Sequence, residues 1–321
     1  MITLAGQSAN ELYIAAADAV LRDGVAVHPR GLETREILGV HLRLTDPRRR
    51  FVDLPPARVI NPAFAVAEAL WIVSGSDAPW IYQYNKALTR YADDGVLQGA
   101  YGPRLRRWNN SVDQLDHVRR TLTEDPDSRQ AVVQLYNPGR DTRGYRDVPC
   151  TLGYRFFVRQ GRLRMHTTMR SQDLWLGFPY DVFTATLIQE LMAGWLGVEL
   201  GDYHHTVDSL HLYANHHDSA ATVAAEPTTP SVPMPPVSVP WKEFAAVVGS
   251  VIDGAPPTGA GDTWGMFAAI MASYRAWSDG DRATAHALSA DVDSELGAAL
   301  RRWYQLLTAD HQHPAVMGVA Q

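Results

Sequence analysis

Residues 148–216 read VPCTLGYRFFVRQGRLRMHTTMRSQDLWLGFPYDVFTATLIQELMAGWLGVELGDYHHTVDSLHLYANH, and this stretch decides the fold. Residues 151–159 and 162–169 have the texture of two strands joined at Gln160-Gly161, which predicts a hairpin. Asp181 to Leu196 then reads as a long apolar helix stopped near Gly197, and Tyr203 to Ser209 leads back into the sheet. The stretch also carries the only cysteine of the chain, Cys150, behind Pro149 at the start of the first strand. A lone Cys can make neither an internal disulfide nor a multi-cysteine metal site, which leaves a buried thiol or a nucleophile. The residues that follow it, Arg170, Ser171, Asp173, Asp181, His211 and Tyr213, favour the nucleophile.

Working outward, Ala9 to Arg22 is helix-like and ends at Asp23-Gly24. Glu36 to Leu44 alternates as a strand, with Val40, Leu42 and Leu44 on one face. Pro62 to Ser74 predicts a mostly buried helix with proline in its first turn and one acid, Glu68, inside it. Ser111 with Gln114 has the form of a capping box for a helix whose stripe is Val112, Leu115, Val118 and Leu122, stopped by Asp125-Pro126. Ala131 to Tyr136 is strand-like. Residues 225–241 are rich in proline and predict an extended connection. Beyond it, Asp262 to Ser278, Asp281 to Leu288 and Val292 to Leu307 read as Ala-rich helices.

Composition sets bounds. The chain has 321 residues with 46% apolar content, enough for one large domain or two smaller ones. A net charge of -6 argues against a broad basic face for nucleic acid. One cysteine in so long a chain suits a reducing cytoplasm. The N-terminus shows no signal-peptide pattern, and the most apolar run, PAFAVAEALWIV, is shorter than a bilayer span and holds Glu68. Five histidines fall among residues 204–217, but neighbours on opposite strand faces and the lack of a second Cys speak against a metal.

The separated segments PC, MRSQD, LGFPYD and SLHLYANH, in that order, resemble the thymidylate synthase superfamily. So do PRGLETREILGVHLRL, AEALWIVSG, YGPRLRRW and DPDSRQAVV upstream, and the resemblance covers roughly residues 10–225. It implies an α+β fold, a mixed β-sheet packed with helices, with a catalytic core over residues 1–240. The helical region 241–321 departs from that pattern and is expected to pack on the core. Closure of the pocket by a tail over Val316 to Gln321 is left open.

The resemblance also implies a chemistry. Cys150 would add to C6 of a pyrimidine nucleoside monophosphate and make C5 a carbon nucleophile, with 5,10-methylenetetrahydrofolate as one-carbon donor and no metal. Arg170 would lower the thiol pKa and hold the phosphate together with Arg30 and Ser171, while Arg129 would reach the neighbouring site of a homodimer. Gln130 stands where the family usually has a second Arg. Glu68 would move protons, its pKa raised by desolvation. Tyr101 would lie beside the Cys, and His211 with Tyr213 would bind the sugar. Asp173 would bond the pterin, with Trp71, Trp80 and Trp175 as candidate aromatic walls.

Asp181 sorts the substrate. Synthases resembling this chain carry Asn after the Gly-x-Pro-Phe turn. Here the turn is Gly177-Phe178-Pro179-Tyr180, followed by Asp181. A protonated carboxyl, or a carboxylate facing protonated N3, complements cytosine, whereas an ionised Asp facing O4 of uracil sets acceptor against acceptor. The plain alternative is a helix N-cap, and both roles can coexist. Thr151 replaces the usual His after the Cys, and Met169-Arg170-Ser171 with Ser209-Leu210-His211 is similar to deoxycytidylate hydroxymethylases. Water rather than hydride would then quench the exocyclic methylene, giving a dCMP or CMP 5-hydroxymethyltransferase of modified phage DNA or of nucleoside antibiotic biosynthesis. An atypical thymidylate synthase acting on dUMP and a non-catalytic nucleotide- or RNA-binding relative are the alternatives.

Overall fold

The computed structural model describes residues 2–227, 231–255, 257 and 261–312. The chain begins with β1 (Ile2–Gly6), α1 (Ala9–Asp23), β2 (Val25–Val27), β3 (Thr34–Leu44), α2 (Pro62–Val73), α3 (Tyr101–Arg106), α4 (Gln114–Glu124), β4 (Val132–Gln134) and α5 (Pro138–Asp141). It continues with β5 (Thr151–Arg159), β6 (Arg162–Met169), β7 (Gln172–Asp173), α6 (Phe178–Leu196), β8 (Glu199–Tyr213) and α7 (His217–Ala224). Four further helices follow: α8 (Trp241–Ile252), α9 (Asp262–Ser278), α10 (Arg282–Ala290) and α11 (Glu295–Gln312).

One mixed sheet runs in the order β1-β3-β8-β6-β5-β4, with β2 on β3 and β7 on β8. The pairs β1/β3, β6/β8 and β7/β8 are parallel, and β3/β8, β5/β6 and β4/β5 are antiparallel. The hairpin between β5 and β6 turns at Gln160 (φ 56°) and Gly161 (φ 70°), two left-handed residues whose twist matches the flanking strands. Because side chains alternate along a strand, Val40, Leu42 and Leu44 of β3 are buried on the face that also receives Leu163, Met165, Tyr203 and Val207. The opposite face is polar: His41 Nε2 lies 3.1 Å from His204 Nδ1, His166 stacks on His204, and Arg43 Nε donates to Asp202 at 2.7 Å.

Several boundaries differ from the sequence reading. Helix α6 begins at Phe178, three residues earlier than expected, because Pro179 presets helical φ in the first turn. Asp181 is therefore not the N-cap: its N–H already donates to the Gly177 carbonyl at 3.0 Å. Helix α4 is capped by Asp113 rather than Ser111, the Asp113 carboxylate accepting from Asp116 N at 3.1 Å, and Val112 falls outside the helix, 44% exposed. Helices α7 and α8 were not anticipated. The proline-rich composition extends to Pro240, but a proline just before a helix sacrifices no backbone hydrogen bond, so α8 starts at the next residue.

The proline segment is a strap on the core. Ser231, Met234 and Val237 are buried at every third position, the period of a polyproline II strand. Met234 N donates to Arg48 O at 2.9 Å, and Val237 N donates to Glu190 Oε1 at 3.3 Å. Glu190 also takes Arg48 Nε at 2.9 Å and the fully buried Arg50 guanidinium. The helices after the strap share the hydrophobic cluster of the sheet layer. Tyr274 stacks on Tyr84 at 5.5 Å, Arg275 Nη1 donates to Tyr84 Oη at 3.0 Å, and Arg302 pairs with Asp53. We expect both halves to melt together. Trp264→Ala, at a side chain 0% exposed, should cost about 3–5 kcal/mol and lower a single calorimetric transition; two separated transitions would contradict a shared core.

Candidate active site

The site forms where α2, α6 and the ends of β5, β7 and β8 meet. Helix α2 starts because Asn61 caps it, its side-chain oxygen accepting from Ala63 N at 3.0 Å and Phe64 N at 3.2 Å. Every residue of α2 is buried except Glu68, which is half-buried. Desolvation, added to the charge of Asp181, pushes the Glu68 carboxyl up to about 8.

Cys150 sits just before β5, half-buried. Arg170 latches this corner. Its backbone N donates to Cys150 O at 2.9 Å, its Nε to Pro149 O at 2.9 Å and its Nη2 to Val148 O at 2.9 Å, with Nη2 3.6 Å from the Cys150 sulfur. Arg170 does pull the thiol pKa down, as expected, but burial outweighs it, and Asp181, Asp147 and Asp173 add to the rise. The net shift is upward: the expectation of a lowered thiol pKa is corrected, because one guanidinium engaged with two main-chain carbonyls and a sulfur does not offset desolvation and three acids. Tyr101 stands beside it. Its hydroxyl oxygen accepts from Thr151 N at 3.1 Å, and burial, then Asp181 and Cys150, hold its pKa well above the ordinary phenol.

Asp181 occupies the first turn of α6. Burial lifts its pKa to about 6, against the Gln172 amide, whose Nε2 donates to Asp181 Oδ2 at 2.8 Å; Asp173 raises it further. Close approach of these groups requires a glycine at 177, where a Cβ would stand 2.9 Å from Gln172 Nε2 and 3.2 Å from Asp181 Oδ2. Two acids with values this far apart divide their roles at neutral pH: Glu68 keeps its proton while Asp181 is largely ionised.

The anion and sugar residues are brought together at one rim. Arg30, in a left-handed conformation (φ 55°) within the turn Pro29–Gly31, points Nη2 to Tyr213 Oη at 3.4 Å. Tyr213 packs edge-on to His211, and His211 Nδ1 lies 3.4 Å from Ser171 Oγ. Ser171 adjoins Arg170 in the chain, so Arg30, Tyr213, His211, Ser171, Arg170 and Cys150 form a continuous arc. Arg129 and Gln130 do not join it; both are exposed in the turn before β4.

The residues expected at the folate divide. Asp173 Oδ1 accepts from Trp175 N at 2.8 Å and Leu176 N at 2.9 Å, which leaves Oδ2 for a donor from outside. Trp80 is half-buried and edge-on to Tyr84, while Leu176, three residues on from Asp173, is 41% exposed and gives apolar surface beside it. Trp71 is 5% exposed, and its Nε1 donates to Ala78 O at 2.9 Å, a packing role inside α2 and its following turn. Trp175 is sandwiched between Arg58 at 4.5 Å and His216. A pterin ring, with N–H donors and an apolar face, suits the free Asp173 oxygen and this wall. The tail over Val316 to Gln321 lies outside the described residues.

Sequence reasoning missed Gln172, His205, Tyr203 and Thr167, which lie behind Asp181. Their signal was parity: polar side chains on the strand face otherwise filled by Met165, Met169 and Val207. The five histidines take separate partners: His204 on the outer face, His205 in the core, His211 on Ser171, His216 on Trp175 and His217 on the Leu212 carbonyl. Among the described residues no group of three or more His, Cys, Asp or Glu could hold a metal ion, and no helix is long and apolar enough to cross a membrane.

Comparison with known proteins agrees with this geometry. The family model described as thymidylate synthase matches residues 11–243. A deoxyuridylate hydroxymethyltransferase of Bacillus phage SP01 is 39% identical over 236 residues, covering 69% of this chain and 61% of the phage protein. The chain thus spans under two thirds of that relative's length. With a family match over more than half of the chain, this protein belongs to the thymidylate synthase family.

Proposed function

We propose that the protein transfers a one-carbon unit to C5 of a cytidine monophosphate, ribo or deoxyribo, and releases the 5-hydroxymethyl nucleotide. The observation that carries this reading is Asp181, a buried carboxyl gripped by Gln172 and electrostatically coupled to Cys150. A carboxyl sharing one proton with cytosine N3 also accepts from the 4-amino group, so both edges of the base are met. The relative's name supports hydroxymethylation over methylation.

In this reading Cys150 adds as thiolate to C6, its negative charge met by the Arg170 guanidinium 3.6 Å away. Resting protonation of the buried thiol keeps it inert until a base lies over it. Electrons displaced from the C5–C6 bond make C5 nucleophilic, and 5,10-methylenetetrahydrofolate, held against Asp173, would supply the carbon; loss of the C5 proton and of tetrahydrofolate would leave an exocyclic methylene, to which water adds as the Cys150 thiolate is expelled. Glu68, protonated at neutral pH, delivers a proton toward the N3 and 4-amino region and positions the water that ends the reaction as hydroxymethyl rather than methyl. Arg30, Arg170 and Ser171 receive the 5'-phosphate, and His211 with Tyr213 the sugar hydroxyl. The protein would work as a homodimer in the cytoplasm, with Arg129 completing the neighbouring phosphate site; the exposure of Arg129 away from its own arc supports this. Residues 1–240 would form the catalytic unit, with the described helices beyond Pro240 buttressing it.

Deoxyuridylate is the second reading, favoured by the substrate in the relative's name. A neutral Asp181 donating to O4 and accepting from N3–H would complement uracil as well, so the two readings differ in which oxygen holds the proton.

Incubation with methylenetetrahydrofolate and each of CMP, dCMP, UMP and dUMP, followed by mass analysis, should add CH2O to a cytidine nucleotide. Addition of CH2, or turnover of uridine nucleotides alone, would contradict the proposal, as would activity surviving Cys150→Ala. Glu68→Gln should lower kcat about 10²–10⁴-fold. In the wild type the rate should fall as pH rises past about 8, where Glu68 loses its proton; a profile flat across that range in the wild type would remove Glu68 as the acid.

A further inference from the structure

We propose that a buried hydrogen-bond relay, Thr167–Tyr203–His205–Gln172, confines the proton of Asp181 to its Oδ1 oxygen, which makes Gln172 and His205 specificity-determining positioning residues for the 4-substituent of the pyrimidine. This rests on the reading that Asp181 faces the base, but not on which base is the substrate.

The direction of the relay follows from donor and acceptor counts. His205 is 1% exposed, and burial pushes its pKa down to about 3, so the ring is neutral and carries a single N–H. His205 Nε2 lies 2.9 Å from Gln172 Oε1, which only accepts, so the hydrogen is on Nε2. Nδ1 must then accept, and its partner is the Tyr203 hydroxyl at 2.7 Å. The Tyr203 hydroxyl also lies 2.8 Å from Thr167 Oγ1.

The Gln172 amide cannot reverse. Its Nε2 donates both to Asp181 Oδ2 at 2.8 Å and to the Asp173 carbonyl at 3.3 Å. A flipped amide would set its oxygen against that carbonyl. Gly177 leaves the room this contact needs. Asp181 Oδ2 is therefore a permanent acceptor, and Oδ1 is the oxygen that carries the proton.

This has a consequence for recognition. Cytosine offers an acceptor at N3 and a donor at position 4; uracil offers the reverse. A carboxyl free to place its proton on either oxygen complements both bases. One whose proton is held on a single oxygen complements one of them and sets like against like with the other. The ionisable groups acting on Asp181 or feeling its charge are Glu68 on α2, Tyr101 on α3, Cys150 before β5, Tyr154 on β5, Asp173 on β7 and Tyr203 on β8; none is a cation. The Gln172 amide is the one group that favours the ionised form.

The test compares nucleotide binding and kcat/KM for CMP, dCMP, UMP and dUMP across pH in the wild type, Gln172→Met, His205→Phe, His205→Gln and Asp181→Asn. Gln172→Met should erode the cytosine-to-uracil preference, whichever sign it has in the wild type, by about tenfold, one bidentate donor-acceptor match, and move the pH midpoint near 6 upward. His205→Phe should do the same more weakly, and His205→Gln, which can still donate to Gln172, should restore both. Folded Gln172→Met and His205→Phe proteins with wild-type preference and midpoint would overturn the relay. Should Gln172→Met not fold, His205→Phe against His205→Gln decides by the same criterion. Uracil preferred by the wild type but levelled by Gln172→Met would refute the cytidine substrate while supporting the relay. A preference and midpoint untouched by Asp181→Asn would overturn the reading of Asp181 and the relay with it.

Discussion

Desolvation of two carboxyl groups without a cation between them is the constraint on which the site depends. Glu68 and Asp181 come from different helices and lie close enough for the charge of one to act on the other. Raising Asp181 from an ordinary carboxyl to about 6 costs the folded state on the order of a few kcal/mol at neutral pH. A fold would discard such a feature if packing were its only task. The rest of the chain supplies rigidity that keeps the acids dry: the uniformly buried α2, the Pro179 entry to α6 and the Gln172 amide held from behind.

The same low dielectric governs the nucleophile. Arg170 lies near the sulfur, yet three of its contacts are main-chain carbonyls and sulfur, and burial still leaves the thiol above its ordinary value. In the proposed reaction, reactivity therefore waits on what the substrate brings: a ring whose C6 accepts the sulfur, and a site closed to water.

Much of this was legible in the sequence because the decisive signals are local. The Gln160-Gly161 turn, the long helix stopped at Gly197 and the alternation of Val40, Leu42 and Leu44 each lie within one element, and each is found as expected. Motif order placed Cys150, Arg170, Ser171, His211 and Tyr213, and the fold draws them into one arc. What was not legible is long-range. Gln172 and His205 are 33 positions apart and meet only because β7 and β8 pair in parallel. The balance at Cys150 depends on how many neighbours desolvate it, which spacing does not encode. Helix α8 was hidden by the prolines before it, which set the chain's path up to Pro240 without forbidding a helix at Trp241.

The central claim concerns where the protons sit, and carboxyl carbon NMR reads this directly. In protein labelled with ¹³C at Asp and Glu carboxyls, with Glu68→Gln and Asp181→Asn supplying the assignments, the account predicts one resonance titrating near pH 6 from Asp181 and one near 8 from Glu68. Both titrating in the ordinary range of solvent-exposed acids would contradict it.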